Sequence, residues 1–327
     1  MPVLTSQPIP QNHDRTYHVH VPPDPAQSSV PAIVVFHGGG QDAVTIAHRW
    51  GLERGSPAPE NVADYLLVFP EADSRLPAEW VHFQNSDKAF PTIDLEFVDL
   101  LLEEITTTSY ATGSASVPSV SADPDLIYVA GFSNGAGMVW QLMNSERVSR
   151  FRGFAAVGLA LDPEKSQRYR RQLDAAGGDD PAPVPVMYVH GTGDQTFRPP
   201  ATLLEVPIDM TRPAFTVLEM LTRNRIAPDA AAATTFLVPG SGNLTEVVIQ
   251  LYLGDEAFGC VTVINGGHNW PGPTTVGNPP VASHFDATEA IVEFWHRHAG
   301  LPRSALARTA TPSWSSIWSF RARRRTS

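Results

Sequence analysis

Three glycine-flanked segments carry side chains whose types and order could perform nucleophilic catalysis. Ser133 lies at the centre of a G-x-S-x-G pentapeptide, Asp194 closes the segment H-G-T-G-D, and His268 follows a pair of glycines. A serine hydroxyl becomes a nucleophile when a histidine removes its proton and a carboxylate stabilises the resulting imidazolium. The three residue types therefore predict attack on an acyl carbonyl through a covalent acyl-enzyme, which water then hydrolyses.

The surrounding sequence indicates how the fold would position these residues. An apolar run at residues 126–130 precedes the pentapeptide and a helical pattern at 136–143 follows it. Ser133 is therefore predicted to lie on a tight turn between a buried strand and a helix. The chain order serine, acid, histidine is that of α/β-hydrolases and differs from the orders in the chymotrypsin and subtilisin folds. The alternative is a strand–helix turn whose serine only caps the helix, and the Asp194 and His268 segments would then be coincidences.

A glycine-rich segment upstream could supply the fourth part of such a site. Residues 37–41, His-Gly-Gly-Gly-Gln, follow another apolar run. Attack on a carbonyl places negative charge on its oxygen, and preorganised backbone N–H groups can stabilise that charge. We expect one of these donors from Gly39 and the other from Asn134. A phosphate-binding loop is the alternative, but no Lys-Ser or Lys-Thr pair follows the glycines.

The composition narrows the class of protein. The chain has 327 residues, of which 42% are hydrophobic, and a formal net charge of −11. Six of its 23 basic residues and none of its 34 acidic residues lie in residues 301–327, so the rest of the chain is strongly acidic. This charge argues against nucleic acid and against anionic polymers as partners. No apolar run approaches the roughly 20 residues that would span a bilayer as a transmembrane segment.

Cysteine content and the first residues bear on localisation. Cys260 is the only cysteine, which excludes an intramolecular disulfide. The first residues lack the basic and apolar regions of a signal peptide. Both features favour the cytoplasm, although they leave the localisation open.

Strands alternate with helices along the chain, which predicts an α/β fold with a mostly parallel central sheet and helices on both faces. We expect a catalytic domain at residues 1–300 with insertions at about 160–183 and 198–245, either of which could roof the site. An Arg-rich flexible tail follows at 301–327, and its alternative is a helix that contacts a surface or a partner. The predicted strands are 15–21 (as an edge strand), 32–37, 64–69, 125–130, 153–159, 184–190, 246–253 and 260–265. The predicted helices are 93–105, 136–143, about 214–225, and one that Asp286 caps and that stops at Gly300.

With these motifs placed, the chain resembles the polyhydroxybutyrate-depolymerase-like branch of the α/β-hydrolases, which includes feruloyl and acetylxylan esterases. The matching stretches are residues 37–41, 80–83, 94–98, 131–135, 190–194 and 267–272. The resemblance implies the α/β-hydrolase fold and a serine esterase without a metal or organic cofactor. The roles that it implies are Ser133 as nucleophile, Asp194 as triad acid, His268 as base, Gly39 and Asn134 as the oxyanion hole, and Trp80 and Trp270 beside the substrate. Many members of this branch are secreted.

The leading hypothesis is therefore a serine carboxylic-ester hydrolase. Its candidate substrates are hydroxyalkanoate oligomers or polymers, aryl esters of the feruloyl type, and synthetic polyesters. One alternative is a serine peptidase of the prolyl-oligopeptidase kind, which usually carries an additional propeller domain. The other is a hydrolase fold without catalytic activity that serves as a binding protein, although none of the three triad residue types is missing.

Other polar residues near these motifs have simpler interpretations. His37 and His190 each precede a glycine at a predicted strand end, and we expect them to support their loops. Asp94 lies at the start of a predicted helix, where its charge would interact favourably with the helix dipole.

Overall fold

A computed structural model describes residues 4–9, 12–52, 58–73, 79–86, 93–175, 182–194, 196, 212–239, 246–272 and 284–302. The strands are β1 (Thr5–Ile9), β2 (Asn12–His20), β3 (Ser29–Phe36), β4 (Leu66–Pro70), β5 (Tyr110–Ala111), β6 (Ser119–Phe132), β7 (Gly153–Val157), β8 (Val186–Gly191), β9 (Thr234–Val238), β10 (Val247–Leu253) and β11 (Ala257–Val263). The helices are α1 (Ala43–Arg49), α2 (Ile93–Thr107), α3 (Asn134–Met143), α4 (Pro163–Ala175), α5 (Arg212–Arg223) and α6 (Ala287–His298), with a short 3-10 helix at Glu146–Arg150. The predicted tail lies outside the described residues from position 303 onward.

The main sheet has the strand order β1-β2-β4-β3-β6-β7-β8-β11-β10-β9. Its central strands, from β4 to β11 in this order, all pair in parallel, and the strands on both flanks pair antiparallel. The central strands are almost wholly apolar because helices cover both faces of a parallel sheet. The prediction of a mostly parallel α/β sheet is confirmed.

Two apolar cores lie on opposite faces of this sheet. One contains Leu95 of α2, Trp140 of α3 and Phe215 of α5, and the other contains Ile46 of α1 and Phe294 of α6. No helix among the described residues is both long and apolar enough to cross a membrane.

The structure corrects the sequence analysis at one edge of the sheet. The predicted edge strand at 15–21 belongs to β2, which is the second strand, because β1 pairs with its outer side from Thr5 opposite Val19. The short helix α1 and the edge strand β9 were not predicted. Helix α1 has only seven residues, and it starts where Asp42 accepts a hydrogen bond from the Thr45 N–H at 2.7 Å.

Candidate active site

Ser133 occupies the turn between β6 and α3 in a strained backbone conformation. Its φ is +52°, a region that non-glycine residues seldom adopt, and its N–H donates to the Val157 carbonyl of β7 at 2.8 Å. The flanking glycines allow this turn by their lack of a side chain. A Cβ on Gly131 would lie 2.2 Å from the Gly135 oxygen, and a Cβ on Gly135 would lie 2.3 Å from the Phe36 oxygen. The strain is maintained by these close backbone approaches.

The structure brings the three predicted side chains into one hydrogen-bonded chain. The Oγ of Ser133 lies 2.8 Å from Nε2 of His268, and Nδ1 of His268 lies 2.7 Å from Oδ2 of Asp194. The other carboxylate oxygen of Asp194 accepts from the Thr196 N–H at 2.8 Å. These partners assign the imidazole tautomer, in which Nδ1–H donates to Asp194 and Nε2 accepts from the serine hydroxyl.

The parallel sheet explains why residues so far apart in sequence meet here. Ser133 directly follows β6, Asp194 follows β8, and His268 follows β11, which pairs in parallel with β8. The carboxyl ends of parallel strands lie at the same edge of a sheet, where ligands of open α/β sheets bind. The ring of Phe132 lies against His268, with 5.0 Å between the ring centroids.

Gly39 and Asn134, the expected oxyanion donors, lie together at the wall of the same cavity. A Cβ on Gly39 would be 3.5 Å from the Cβ of Asn134. As the first residue of α3, Asn134 has a backbone N–H with no carbonyl one turn earlier in the helix. Its amide side chain is fixed on the backbone of Trp80, from whose N–H it accepts at 2.6 Å and to whose oxygen it donates at 3.2 Å.

Neither tryptophan that the resemblance placed beside the substrate presents its indole there. Trp80 and Trp270 are 0% and 1% exposed, and neither is among the described residues that line the cavity around Ser133. The indole N–H of Trp80 donates to the His37 oxygen at 3.0 Å, and that of Trp270 donates to Oγ1 of Thr288 at 3.1 Å. Both side chains pack in the core and support the loops of the site, which corrects the prediction of direct substrate contact.

Asp94 lies at the start of a helix, as expected, and its carboxylate also binds two groups outside that helix. It is fully buried in the first turn of α2, where its Oδ1 accepts from Nη1 of Arg15 at 2.9 Å. Its Oδ2 accepts from the N–H of Val81 at 2.6 Å. Asp94 therefore fixes the segment that follows Trp80, whose backbone in turn holds the side chain of Asn134.

His37 and His190 lie where they can support the loops of the site. His37 is buried, its Nδ1 donates to the Gly38 oxygen at 2.8 Å, and its Nε2 accepts from the Ala72 N–H at 3.1 Å. Burial lowers the pKa of His37 from its usual value, so the ring is neutral in this arrangement. His190 is stacked on Tyr188, and burial lowers its pKa to about 4.

The cavity beside Ser133 and His268 has a volume of about 610 Å³, and both polar and apolar atoms line it. Both predicted insertions contribute to it, because Asp162 and Lys165 come from the first and Arg212 from the second. Arg212 pairs with Asp162 at 2.6 Å, and Nζ of Lys165 donates to the Gln84 oxygen at 2.6 Å. The described residues contain no group of three His, Cys, Asp or Glu side chains that could hold a metal ion.

Two residues of the cavity wall were not singled out by the sequence analysis. His82 is buried against α3, its Nε2 lies 3.1 Å from Nδ2 of Asn134, and burial lowers its pKa to about 3. Arg49 is the last residue of α1 and also lines the cavity. His82 lies within the stretch 80–83 that carries the family resemblance, but no role was assigned to it, and Arg49 lies in none of the matching stretches.

No protein-family model matches the chain. The protein named putative esterase NocK from Nocardia uniformis subsp. tsuyamanensis is 27% identical over 292 residues, which are 83% of this chain and 75% of that protein. Among solved structures, acetyl xylan esterase from Aspergillus awamori aligns with a TM-score of 0.53 and 14% identity over 81% of this chain and 94% of that one. The poly(3-hydroxybutyrate) depolymerase LpqC from Bordetella parapertussis aligns with a TM-score of 0.44 and 15% identity over 95% and 94% of the two chains.

The sheet order, the turn at Ser133 and the likeness to acetyl xylan esterase define the α/β-hydrolase fold. The similarity to NocK over most of both chains indicates an enzyme. The protein is a hydrolase of this fold, with esterases among its relatives.

Proposed function

We propose that the protein is a serine carboxylic-ester hydrolase that acts through an acyl-enzyme. The observation that carries this proposal is the continuous hydrogen-bonded chain from Ser133 through His268 to Asp194 at the wall of a cavity. This arrangement suits nucleophilic catalysis, because the imidazole nitrogen that faces Ser133 lies within hydrogen-bond distance of its hydroxyl and can accept the hydroxyl proton.

In this mechanism, Nε2 of His268 takes the proton of Ser133 as Oγ attacks the ester carbonyl. Asp194 holds the Nδ1–H of His268 and stabilises the imidazolium that forms. The N–H groups of Gly39 and Asn134 donate to the oxyanion of the tetrahedral intermediate. His268 then returns its proton to the departing alcohol, and a water molecule activated in the same way releases the acid from Ser133.

The cavity wall is mixed in character. Beside Ser133 and His268 it presents amide and charged side chains together with Phe132 and Leu159. Hydroxyalkanoate oligomers, in which ester groups alternate with short alkyl segments, therefore fit this wall better than acyl groups that are purely apolar. Aryl esters and synthetic polyesters remain substrates to be compared with them.

The test is hydrolysis of 4-nitrophenyl esters of graded length, of methyl ferulate and of hydroxybutyrate oligomers, together with labelling by a fluorophosphonate. We expect Ser133→Ala to abolish both activity and labelling, with a loss of about 10⁴-fold or more in kcat. Ser149→Ala, a change at an exposed serine that does not line the cavity, is the matched control and should retain both.

Three results would contradict the proposal. Labelling of another residue, with Ser133→Ala still active, would show that the nucleophile is wrong. Absence of both ester turnover and labelling in the folded wild-type protein would favour a binding protein. Faster cleavage of peptides than of esters would favour a peptidase.

A further inference from the structure

Arg49 is a buried cation at the wall of the catalytic cavity. Its side chain is 6% exposed, and it lines the same cavity as Ser133 and His268. The central carbon of its guanidinium lies 4.2 Å from the centroid of the Phe132 ring. The same ring packs against the imidazole of His268, with 5.0 Å between the ring centroids. Arg49 is therefore separated from the catalytic imidazole by one aromatic side chain.

The guanidinium of Arg49 lacks the partners that buried arginines normally have. Its Nε and Nη1 atoms are buried without a hydrogen-bond partner, and no carboxylate of the described residues forms an ion pair with it. Burial lowers its pKa to about 10, so it remains charged at neutral pH. A buried charge is costly unless it is paired, and the contact with Phe132 offsets only part of that cost.

Two other buried arginines of this protein have hydrogen-bond or ion-pair partners. Arg223 donates to the oxygens of Ala182, Asn144 and Met143 through its three nitrogens. Arg15 is paired with Asp94, although its Nη2 also lacks a hydrogen-bond partner. Arg49 differs from both, because it has neither an ion pair nor a partner for Nε and Nη1 among the described residues, and it lines the catalytic cavity.

The rest of the cavity wall does not neutralise this charge. Among the described residues of the wall, the cations are Arg49, Lys165 and Arg212, and the carboxylates are Glu79 and Asp162. Asp162 is already paired with Arg212. An anionic group in the cavity would therefore meet an excess of positive charge, although the protein as a whole is acidic.

We propose that Arg49 binds a carboxylate of the substrate, so that the enzyme prefers esters that carry a free carboxylate. The planar fork of a guanidinium matches the two oxygens of a carboxylate and is worth most in a desolvated site. This inference rests on the proposed esterase function and adds a substrate class and a specificity-determining residue to it.

The test compares substrates that differ only in this charge. For the acyl side, mono-4-nitrophenyl adipate and suberate are compared with the 4-nitrophenyl methyl diesters of the same acids. For the alcohol side, 4-(butanoyloxy)benzoate is compared with its methyl ester. For the wild-type protein, we expect kcat/KM to be about 10- to 100-fold higher for the carboxylate than for the matching methyl ester. This preference should appear in one of the two comparisons, either on the acyl side or on the alcohol side.

Variants then assign this preference to one residue. Arg49→Met should reduce the ratio of kcat/KM values to about one, and Arg49→Lys should give an intermediate ratio because it keeps the charge but lacks the fork. Arg225→Met, a change at an exposed arginine that is paired with Asp255 and does not line the cavity, is the matched control and should keep the wild-type ratio. The ratio cancels any general loss of activity that a variant causes.

The inference would be overturned if the wild-type kcat/KM values for the carboxylate and its methyl ester were about equal in both comparisons. It would also be overturned if Arg49→Met kept the wild-type preference for the carboxylate. Hydrolysis of the neutral esters without a charge preference would remove this inference alone. Absence of all hydrolysis together with absence of fluorophosphonate labelling would remove the esterase proposal as well.

Discussion

The buried pair of Arg15 and Asp94 allows a quantitative test of how the site is supported. The two side chains are 1% and 0% exposed, and Arg15 also lies 3.7 Å from the ring centroid of Phe97. Asp94→Asn keeps the shape of the side chain but removes its charge, which leaves the guanidinium buried without a counter-ion. Removal of one partner from a buried ion pair typically destabilises a protein by about 3–5 kcal/mol.

The direction of the Asp94 pKa refines this expectation. Burial raises the pKa of Asp94, and the attraction of Arg15 only partly opposes it. Burial of the carboxylate therefore offsets part of what the pair contributes, so we expect the loss in Asp94→Asn at the lower end of this range, with the uncompensated charge of Arg15 as its source. It follows that a second change, Arg15→Met, should recover part of the loss when it is combined with Asp94→Asn.

The assay is urea unfolding at pH 7, and Asp99→Asn is the matched control on the same helix. Asp99 pairs with Arg147 at 2.9 Å, but the two side chains are 39% and 18% exposed, so the control should cost only about 0–1 kcal/mol. If Asp94→Asn cost no more than Asp99→Asn, the pair would not behave as a buried one. If the double variant were less stable than Asp94→Asn, the assignment of the loss to Arg15 would be wrong.

The central sheet and the meeting of Ser133, Asp194 and His268 could be predicted because local sequence signals coincide there with the global fold. Apolar runs specify the buried parallel strands, Ser133 directly follows β6, and Asp194 lies three residues after the end of β8. Since the carboxyl ends of parallel strands lie at the same edge of a sheet, Ser133 and Asp194 are predicted to lie close together even when the loop conformations are unknown.

The environment of Trp80 and Asp94 could not be predicted in the same way. Trp80 lies in a segment without regular structure, and its burial depends on contacts with His37 and Phe97, which are distant in sequence. The pairing of Asp94 with Arg15 joins residues 79 positions apart. No periodicity or turn signal carries such information, so a family resemblance suggested a substrate contact where the structure has a support. Arg49 was missed for a related reason, since only its position beside Phe132 shows that its charge faces the site.

Two further predictions concern the proposed triad acid and a half-buried carboxyl in the last helix. Asp194→Asn should lower kcat for 4-nitrophenyl acetate by about 10⁴-fold, because an amide cannot stabilise the imidazolium or hold the same tautomer, and an undiminished kcat would exclude Asp194 as the triad acid. Glu289, in the first turn of α6, has its pKa raised to about 7 by burial and by the nearby charges of Asp286 and Glu293. Because this folded-state pKa exceeds the ordinary value of about 4.3, ionisation of Glu289 destabilises the fold increasingly as the pH rises from about 4 through 7. Glu289→Gln removes that ionisation, so it should stabilise the protein by about 1–3 kcal/mol at pH 8 and by much less at pH 5, with partial exposure keeping the gain in the lower half of this range. Urea unfolding of both proteins at the two pH values measures this difference, and a stabilisation that is the same at pH 5 and pH 8 would show that the carboxyl titrates normally in the folded state.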